Sequence, residues 1–316
     1  MSPLRILFMG SAELAAPSLE ALVRAPQFLV VGVVTQPDRP RGRDLRLQPT
    51  PVKALAGHLA LPVLQPERLR LESAVQPVAA LLPDLVVVVA YGQILPAAVL
   101  ALPRFGCLNV HASLLPCYRG AAPIQWAILN DDPQTGVTIM KMDAGLDTGE
   151  IVAQEATAIT PEDNAQTLHD RLAALGARLL IDSLPSYVAG TLAPRPQPAV
   201  GVSYARKILK EDGHLDWRQP ARALWNRVRA FTPWPGAFTH QPASAKPVLL
   251  KVWRAEVVPT LAGAPGRVLA ADAAGIVVGC GQQALRIVEL QREGGRRVGA
   301  RAFLAGHAVP VGEEWA

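Results

Sequence analysis

Four short apolar segments in the first 111 residues constrain the fold more than any other feature. They are LRILFM (residues 4–9), FLVVGVVT (28–35), LVVVVA (85–90) and CLNVH (107–111). Strands that are apolar on both faces are typical of a parallel sheet covered by helices. Helical patterns at residues 13–24 and 51–59 lie between them, and Pro51 suits the first turn of a helix. This alternation predicts an open α/β fold with a mostly parallel sheet.

The middle of the chain carries a β-hairpin pattern followed by a long helical one. GVTIMKMD (residues 136–143) and EIVAQEATAI (150–159) have strand character, and the turn AGLDTG joins them at residues 144–149. Residues 163–189 then place apolar side chains at helical spacing, which predicts a long helix.

A proline-rich segment divides the chain. TLAPRPQPAVG (residues 191–201) holds three prolines, and such segments are extended and semi-rigid. A length of 316 residues suits about two domains. We therefore predict a first domain over residues 1–189, a linker over 190–206 and a second domain over 207–316. In the second domain, a helix at residues 221–230 precedes short strands with glycine-containing turns, which predicts a small β-barrel or sandwich.

Composition and cysteine spacing exclude several classes of protein. Half of the residues are hydrophobic and 18% are charged, which is globular rather than disordered composition. Cys107, Cys117 and Cys280 are far apart and odd in number, so neither a disulfide framework nor a zinc site is expected. The first apolar run is short and Glu13 follows it, which favours a strand over a signal peptide. The longest later run, residues 85–91, is too short to span a bilayer, so we expect a cytoplasmic protein with no membrane partner.

The net charge of +5 is unevenly distributed. Residues 1–200 carry 15 Lys/Arg and 17 Asp/Glu, whereas residues 201–316 carry 16 Lys/Arg and 9 Asp/Glu. A basic second half indicates either an ordinary solvated surface or contact with a polyanion such as nucleic acid. Charge alone leaves both interpretations open.

The common cofactor and nucleophile motifs are missing from the sequence. MGSAELAAP, at the end of the first strand, has a single glycine, Gly10, where a dinucleotide-binding fingerprint needs several. GxSxG and P-loop patterns are absent too. We therefore expect the candidate catalytic residues among the side chains at the carboxyl ends of the strands, where open α/β folds place their sites.

Asn109, His111 and Asp147 are such candidates. Asn109 and His111 are separated by one residue in an extended segment, so their side chains point to the same side. An asparagine amide can stabilise an oxyanion, a histidine can exchange a proton near neutral pH, and a nearby carboxylate can orient that histidine. The three suit attack of an amine on a carbonyl carbon. Each also has an ordinary explanation: a loop histidine, a turn-forming aspartate and an asparagine that ties down backbone.

Long stretches around these residues resemble a known family. Over nearly its whole length the sequence is similar to the formyltransferases that use 10-formyltetrahydrofolate, and most closely to the members that formylate methionyl-tRNA. The segments that carry the resemblance are VVTQPDRPRGR (33–43), PTPVKALA (49–56), LPVLQPERLR (61–70), DLVVVVAYGQILP (84–96), NVHASLLPCYRGAAPIQWAI (109–128), GVTIMKMDAGLDTGEI (136–151), YARKILKEDGHLDW (204–217) and RAFTPWPGAF (229–238).

The resemblance implies a fold, a reaction and a set of site residues. It implies a Rossmann-like α/β domain, a linker and an OB-like barrel, and transfer of a formyl group to the free α-amine of initiator methionyl-tRNA. Asn109, His111 and Asp147 match the catalytic motif of the family, with the first two as oxyanion donors and the third orienting the histidine. We expect a monomer and no metal. The implied folate-binding residues are Tyr91, Gln93, Ile94, Leu95, Ser113, Leu114, Leu115, Pro116 and Asp143.

The loop at residues 36–53 is the most basic part of the first domain. A flexible solvated loop is the ordinary explanation. The resemblance implies instead that the loop inserts near the end of the tRNA acceptor stem, and that Lys207 in the basic second half contacts the acceptor arm. Such phosphate contacts make binding salt-sensitive. The basic residues of the loop are Arg39, Arg41, Arg43 (expected to be the most important), Arg46 and Lys53.

The chain departs from the family pattern at two places. Ser11-Ala12-Glu13-Leu14 replaces the usual Thr-Pro-Glu/Asp-Phe after Gly10, which keeps a hydroxyl at Ser11. Cys117 replaces the arginine of Leu-Pro-Arg-Tyr/Trp-Arg-Gly, which removes a positive charge beside the candidate site.

Two other functions remain open on this reasoning. One is a folate-dependent formyltransferase for a small amine, such as an amino sugar or a purine precursor. The other is an RNA-binding protein built on a catalytically inactive domain. The basic loop and the basic second half argue against the first, and the intact Asn109, His111 and Asp147 argue against the second.

Overall fold

The chain folds into two compact units. The computed structural model describes residues 2–41, 46–243 and 247–316. Unit 1 consists of Met1–Pro123, Gln134–Ala158 and His169–Ala205, and unit 2 of Ile124–Pro133, Ile159–Leu168 and Arg206–Ala316. The segment predicted as a linker therefore belongs to unit 1 up to Ala205.

A seven-stranded sheet forms the centre of unit 1. The strands of this unit are β1 (Leu4–Gly10), β2 (Phe28–Val34), β3 (Arg39–Arg41), β4 (Arg46–Gln48), β5 (Val63–Leu64), β6 (Leu85–Val89), β7 (Cys107–His111), β8 (Arg119–Gly120), β9 (Gln134–Lys141), β10 (Ile151–Ala158) and β11 (Tyr204–Ala205). The order across the sheet is β10-β9-β7-β6-β1-β2-β5. The five strands from β7 to β5 are parallel, whereas the hairpin β9–β10 joins antiparallel at one edge. The predicted mostly parallel sheet is confirmed.

Burial on both faces explains why these strands read as continuous apolar runs. Consecutive residues of β1, from Ile6 to Met9, have no exposed surface, and all five residues of β6 are buried. Because neighbouring side chains of a strand point to opposite faces, only a sheet covered on both faces buries all of them.

Helices connect the strands of this sheet. The helices up to residue 188 are α1 (Ala16–Arg24), α2 (Pro51–His58), α3 (Glu72–Ala80), α4 (Ala97–Leu100), α5 (Pro123–Leu129) and α6 (Ala165–Val188). The start of α2 shows a common capping pattern: Thr50 Oγ1 accepts a hydrogen bond from Lys53 N at 3.1 Å, and Pro51 occupies the first helical position. In the described part of the chain, no helix combines the length and apolar composition needed to cross a membrane.

Unit 2 is built on an antiparallel sheet. Its strands are β12 (Ala237–Gln241), β13 (Val248–Val258), β14 (Val268–Asp272), β15 (Gly275–Gly279), β16 (Ala284–Arg292) and β17 (Val298–Gly299), and its helices include α7 (Ala221–Ala230) and α8 (Ala300–Leu304). The spatial order is β12-β13-β16-β15-β14, with β17 paired to β16. Helix α7 packs against β13 and buries Leu224 and Val228 in the core of this unit.

The C-terminal segment joins the two edges of this sheet. Gly312 N donates to Val268 O of β14 at 2.8 Å. Ala316 and His240 of β12 exchange two backbone hydrogen bonds, at 2.6 and 3.0 Å. The C-terminal segment therefore links the two edge strands, and the predicted second domain of short strands is confirmed as an antiparallel sheet.

Candidate active site

Strand β7 brings Asn109 and His111 to the carboxyl edge of the parallel sheet. It lies between β6 and β9, and its last residue is His111. The histidine is only 6% exposed, and Asn109 is half-buried. The chain order reverses between β1 and β6, and such a reversal is where open α/β sheets bind ligands.

The turn between β9 and β10 presents Asp147 to these two residues. Asp143 closes the turn, because its Oδ1 accepts hydrogen bonds from Gly145 N at 2.9 Å and Thr148 Oγ1 at 2.7 Å. Asp147 has a φ of +51°, a left-handed backbone conformation that residues other than glycine rarely adopt. Its Oδ2 accepts a hydrogen bond from Gly120 N at 2.8 Å, which fixes the carboxylate.

The structure places the three predicted catalytic residues together. Asn109 Nδ2 donates to Asp147 Oδ1 at 3.4 Å, and His111 Nδ1 lies 3.7 Å from Asp147 Oδ2. His111 Nε2 contacts the carbonyl oxygen of Tyr118 at 3.0 Å. A carbonyl can only accept, so Nε2 carries a proton and donates it to this bond. In the neutral histidine the available lone pair is therefore on Nδ1, which faces Asp147.

These side chains line a cavity of about 480 Å³. That volume lies within the range of small-molecule sites. The wall includes Tyr91, Gln93, Ile94, Leu95 and Asp143 among the predicted folate-binding residues.

Two exposed apolar side chains form part of the wall. Ile94 is 88% exposed and Leu146 is 60% exposed, and both line the cavity. Large apolar side chains at this exposure are suited to covering a flat apolar ligand group.

Some of the predicted folate residues are already occupied by contacts within the protein. Gln93 accepts from Leu69 N at 2.9 Å and donates to Pro66 O at 3.2 Å, so its amide braces the neighbouring loop. Asp143 Oδ1 is used within its own turn. Gln93 and Asp143 therefore line the cavity while these polar atoms are used in hydrogen bonds within the protein.

Ser113, Leu114, Leu115 and Pro116 do not line this cavity. Ser113 is fully buried and its hydroxyl donates to Cys117 O at 2.6 Å. Leu115 N donates to Thr138 Oγ1 of β9 at 3.0 Å. These four residues therefore lie outside the wall of this cavity, with polar groups that fold the loop after His111, and their contact with folate stays a prediction.

The predicted RNA-contacting residues lie in two places. Arg39 and Arg46 are exposed on the antiparallel hairpin β3–β4, and Arg41 ends its first strand. Arg43 lies outside the described residues. Lys207 is exposed in unit 2.

Lys53, the fifth basic residue of the loop, has a different role. Its ammonium pairs with Asp38 at 2.7 Å at the base of the hairpin, and Gln65 Nε2 donates to the same carboxylate at 2.7 Å. These two hydrogen bonds hold the pKa of Asp38 below its usual value. Lys53 is thus an anchor of the hairpin.

Ser11 and Cys117, the two places where the chain departs from the family pattern, both make hydrogen bonds within the protein. Ser11 Oγ donates to Tyr91 O at 3.0 Å and accepts from Gln36 N at 3.1 Å, so the retained hydroxyl joins the ends of three strands next to the cavity. Cys117 Sγ contacts Gly201 O at 3.3 Å.

Three residues that the sequence pattern does not mark hold the candidate catalytic groups. They are Tyr118, whose carbonyl binds His111; Gly120, whose N–H binds Asp147; and Gln197, which donates to Asp147 O and Gly149 O at 2.8 Å each. Tyr118 and Gly120 act through backbone, which has no side-chain signature. Gln197 lies in the proline-rich segment for which the sequence predicts a linker.

Comparison with known proteins places the chain in a family. Residues 4–184 match the formyl transferase family, and residues 207–308 match the formyl transferase C-terminal domain. Methionyl-tRNA formyltransferase of Aromatoleum aromaticum is 51% identical over 314 residues, covering 99% of this chain and 98% of that protein. The enzyme of the same name from Geobacter metallireducens is 47% identical over 312 residues, with the same coverage.

A solved structure shares the fold at low sequence identity. The N-formyltransferase of Helicobacter canadensis, in complex with folinic acid and dTDP-3-aminofucose, is 18% identical with a TM-score of 0.62. The match covers 91% of this chain and 99% of that one. The two domain matches and the relatives that are about half identical over the whole length lead to one conclusion: the chain belongs to the formyl transferase family and, within it, to the methionyl-tRNA formyltransferases.

Proposed function

We propose that this enzyme transfers the formyl group of 10-formyltetrahydrofolate to the α-amine of initiator methionyl-tRNA, with Asn109, His111 and Asp147 as its catalytic residues. The observation that carries the proposal is the meeting of these three side chains at one cavity, in a chain of this family. Residues 1–189, together with the segment up to Ala205 that packs in unit 1, supply the catalytic and folate-binding part, and residues 207–316 supply the part that binds tRNA.

The cavity accepts the folate donor. Its apolar wall at Ile94, Leu95 and Leu146 covers the flat ring system, and the formyl group lies toward Asn109 and His111. A formyl group at that place is within reach of the side chains at the end of β7.

Asn109 stabilises the oxyanion that forms when the amine attacks the formyl carbon. One hydrogen of its Nδ2 points to Asp147 Oδ1, which fixes the amide and leaves the other hydrogen for the oxyanion. A donor fixed in advance is more effective than one that must reorient during the reaction.

His111 and Asp147 manage the proton. A bond forms between the amine nitrogen and the formyl carbon, the bond from that carbon to N10 breaks, and one proton passes from the amine to N10. His111 Nδ1 faces Asp147, so the charged histidine that forms on taking up a proton is stabilised by the carboxylate. Because Nε2–H is donated to Tyr118 O, the proton that Nδ1 gains is the only one that the charged histidine can share with the oxyanion.

The test is a formylation assay with the purified protein and charged tRNA. His111→Ala and Asp147→Asn are expected to lower kcat by roughly 10²–10⁴-fold, as loss of general acid–base catalysis does. His58→Ala, which removes an exposed histidine at the end of α2, is the matched control and keeps its activity. Near-normal turnover in both catalytic variants would overturn the assignment of these residues.

The acceptor is tested separately from the catalytic residues. Initiator and elongator methionyl-tRNA and a dTDP-linked amino sugar are compared with the same donor. We expect turnover with initiator tRNA and none with the sugar. Turnover with the sugar alone would replace the proposal with the small-amine alternative.

A further inference from the structure

The backbone of the catalytic aspartate is held by a residue that does not line the cavity. Asp147 O accepts a hydrogen bond from Gln197 Nε2 at 2.8 Å, and Gly149 O accepts a second one from the same nitrogen at 2.8 Å. The amide of Gln197 thus links the backbone carbonyls of Asp147 and Gly149 across the turn. Because Asp147 is in the left-handed region, its carbonyl and carboxylate directions depend on what holds them.

The other end of the Gln197 amide is held as well. Its Oε1 accepts from Arg119 Nη2 at 2.7 Å and from Arg119 Nε at 3.2 Å. A guanidinium only donates and a carbonyl only accepts, so the orientation of the amide is determined by its neighbours. The side chain of Gln197 has no other arrangement that satisfies all four contacts.

These contacts close a ring around the aspartate. Arg119 and Gly120 form β8, and Gly120 N binds the carboxylate of Asp147 while Arg119 binds Gln197. Strand β8 pairs with β11, which lies in the same segment as Gln197. Asp147 is therefore fixed at its side chain by β8 directly and at its backbone by β8 through Gln197.

Residues 195–205, called the strap, contact the rest of unit 1 at further points. Arg195 and Ile151 exchange two backbone hydrogen bonds, at 2.9 and 2.7 Å. Ser203 Oγ accepts from Tyr118 N at 2.9 Å, and the carbonyl of Tyr118 is the one that binds His111. The strap therefore contacts the supports of both Asp147 and His111.

We propose that Gln197 is a positioning residue for formyl transfer, which sets the conformation of the Asp147 turn and acts on the reaction only through it. The inference rests on the proposed role of Asp147 in catalysis. The competing explanation is that Gln197 only fastens the strap, in which case its loss lowers stability and leaves the chemistry unchanged.

Gln197→Met tests the proposal, because methionine has a similar length and makes none of the four hydrogen bonds. We expect kcat to fall by roughly 10²-fold, the scale of a misplacement of about 1 Å, with KM for donor and tRNA within about 3-fold of the wild type. Gln291→Met is the matched control. Gln291 also donates to a backbone carbonyl (Gly295 O, 2.9 Å) and accepts from a side-chain N–H (Trp253 Nε1, 3.0 Å), but in unit 2. This control should keep kcat.

A double-mutant cycle separates positioning from fastening. If Gln197 acts through Asp147, adding Gln197→Met to Asp147→Asn lowers the single-turnover rate by less than about 2-fold, since coupled residues are not additive. Equal losses in both backgrounds, or a normal kcat in Gln197→Met, would overturn the proposal.

Gln197→Glu is a second test if the methionine variant does not fold. It keeps the contact with Arg119 and loses both bonds to the turn, so it should show the same loss of kcat.

The proposed function and this inference fail in different ways. Absence of formylation by the wild type, or normal activity of Asp147→Asn, rejects the proposed function. An active wild type and an impaired Asp147→Asn, together with a normal Gln197→Met, reject only the role of Gln197.

Discussion

The hydroxyl of Tyr91 has no hydrogen-bond partner among the residues that the structure describes, although the residue is only 2% exposed. Burial raises its pKa to about 12, so the hydroxyl stays neutral at physiological pH. An unsatisfied buried polar group costs about 1–3 kcal/mol. We predict that Tyr91→Phe increases the free energy of unfolding, by up to about 1 kcal/mol, in a urea titration.

The same variant separates two roles of this residue at the donor site. Tyr91 is part of the cavity wall but its side chain is buried in the core behind it, so removal of the hydroxyl should leave KM for the donor unchanged. A destabilised variant, or a rise in that KM by more than about 5-fold, which corresponds to roughly 1 kcal/mol, would mean that the hydroxyl has a partner in the bound state.

The three cysteines differ in reactivity. Cys107 and Cys280 are buried, and burial raises the pKa of each to about 12, so that roughly one in 10⁴ is thiolate at pH 8. Cys117 is partly exposed. We predict that a maleimide labels one thiol per native chain at pH 8 and three after unfolding, as counted by mass spectrometry. Cys117→Ser should abolish native labelling, and labelling of two thiols in the native protein would contradict this.

Residue spacing predicted the meeting of the candidate catalytic side chains better than it predicted the residues that support them. The interval of two residues between Asn109 and His111 put both on one side of β7, because alternation is a property of any strand. The contact of His111 with Tyr118 O depends on a backbone φ of +60° at Tyr118, which no residue pattern marks. The same holds for the contact of Gln197 with Asp147, which joins residues 50 positions apart.

Among the elements, the hairpin β3–β4 carries the RNA-contact hypothesis. Its base is tied down by the Asp38–Lys53 pair, and Thr50 at the start of α2 is within 2.6 Å of Thr35 Oγ1 at the end of β2. Both attachments link the segment that follows β2 to the start of α2. The hairpin thus leaves its arginines exposed while its base is fixed.

Arg46→Ala tests the hairpin. Arg46 is exposed, so its loss removes a cation with little effect on packing. We predict a rise in KM for tRNA of about 3–10-fold and a decrease of about 1 in the slope of log K against log salt concentration, as expected for one phosphate contact.

Arg24→Ala is the control for the hairpin variant. Arg24 is an exposed arginine that pairs with Glu20 on α1, and its removal should leave KM for tRNA unchanged. If Arg24→Ala and Arg46→Ala have equal effects, the hairpin has no specific role in binding RNA.

The elements that were predicted share one property. Strands buried on both faces, such as β1 and β6, are recognisable because every residue is apolar. The elements that the sequence analysis does not predict lack this pattern: the last three residues of β12 (AFTHQ) are all polar, and α3 contains Pro77 in its interior. Tertiary packing, and not local propensity, decides their conformation.

At the scale of the whole molecule, charge is the property that best separates the possible acceptors. Residues 201–316 carry a surplus of seven basic residues, and the sequence pI is about 9.4. A tRNA presents many phosphates to such a surface, whereas a nucleotide-linked sugar presents two. Each phosphate that a protein cation neutralises releases a counterion, so salt weakens the binding of the two acceptors to different extents.

We therefore predict a steep salt dependence for the tRNA substrate. For four phosphate contacts, the slope of log K against log salt concentration is about −3.6, and affinity falls roughly 150-fold between 50 and 200 mM salt. Affinity is measured by filter binding, with KM for the folate donor as the internal control, because binding in a largely apolar cavity changes little over that range. A tRNA slope shallower than about −1 would mean that the basic surface is ordinary solvated surface, and would shift support to the small-amine acceptor.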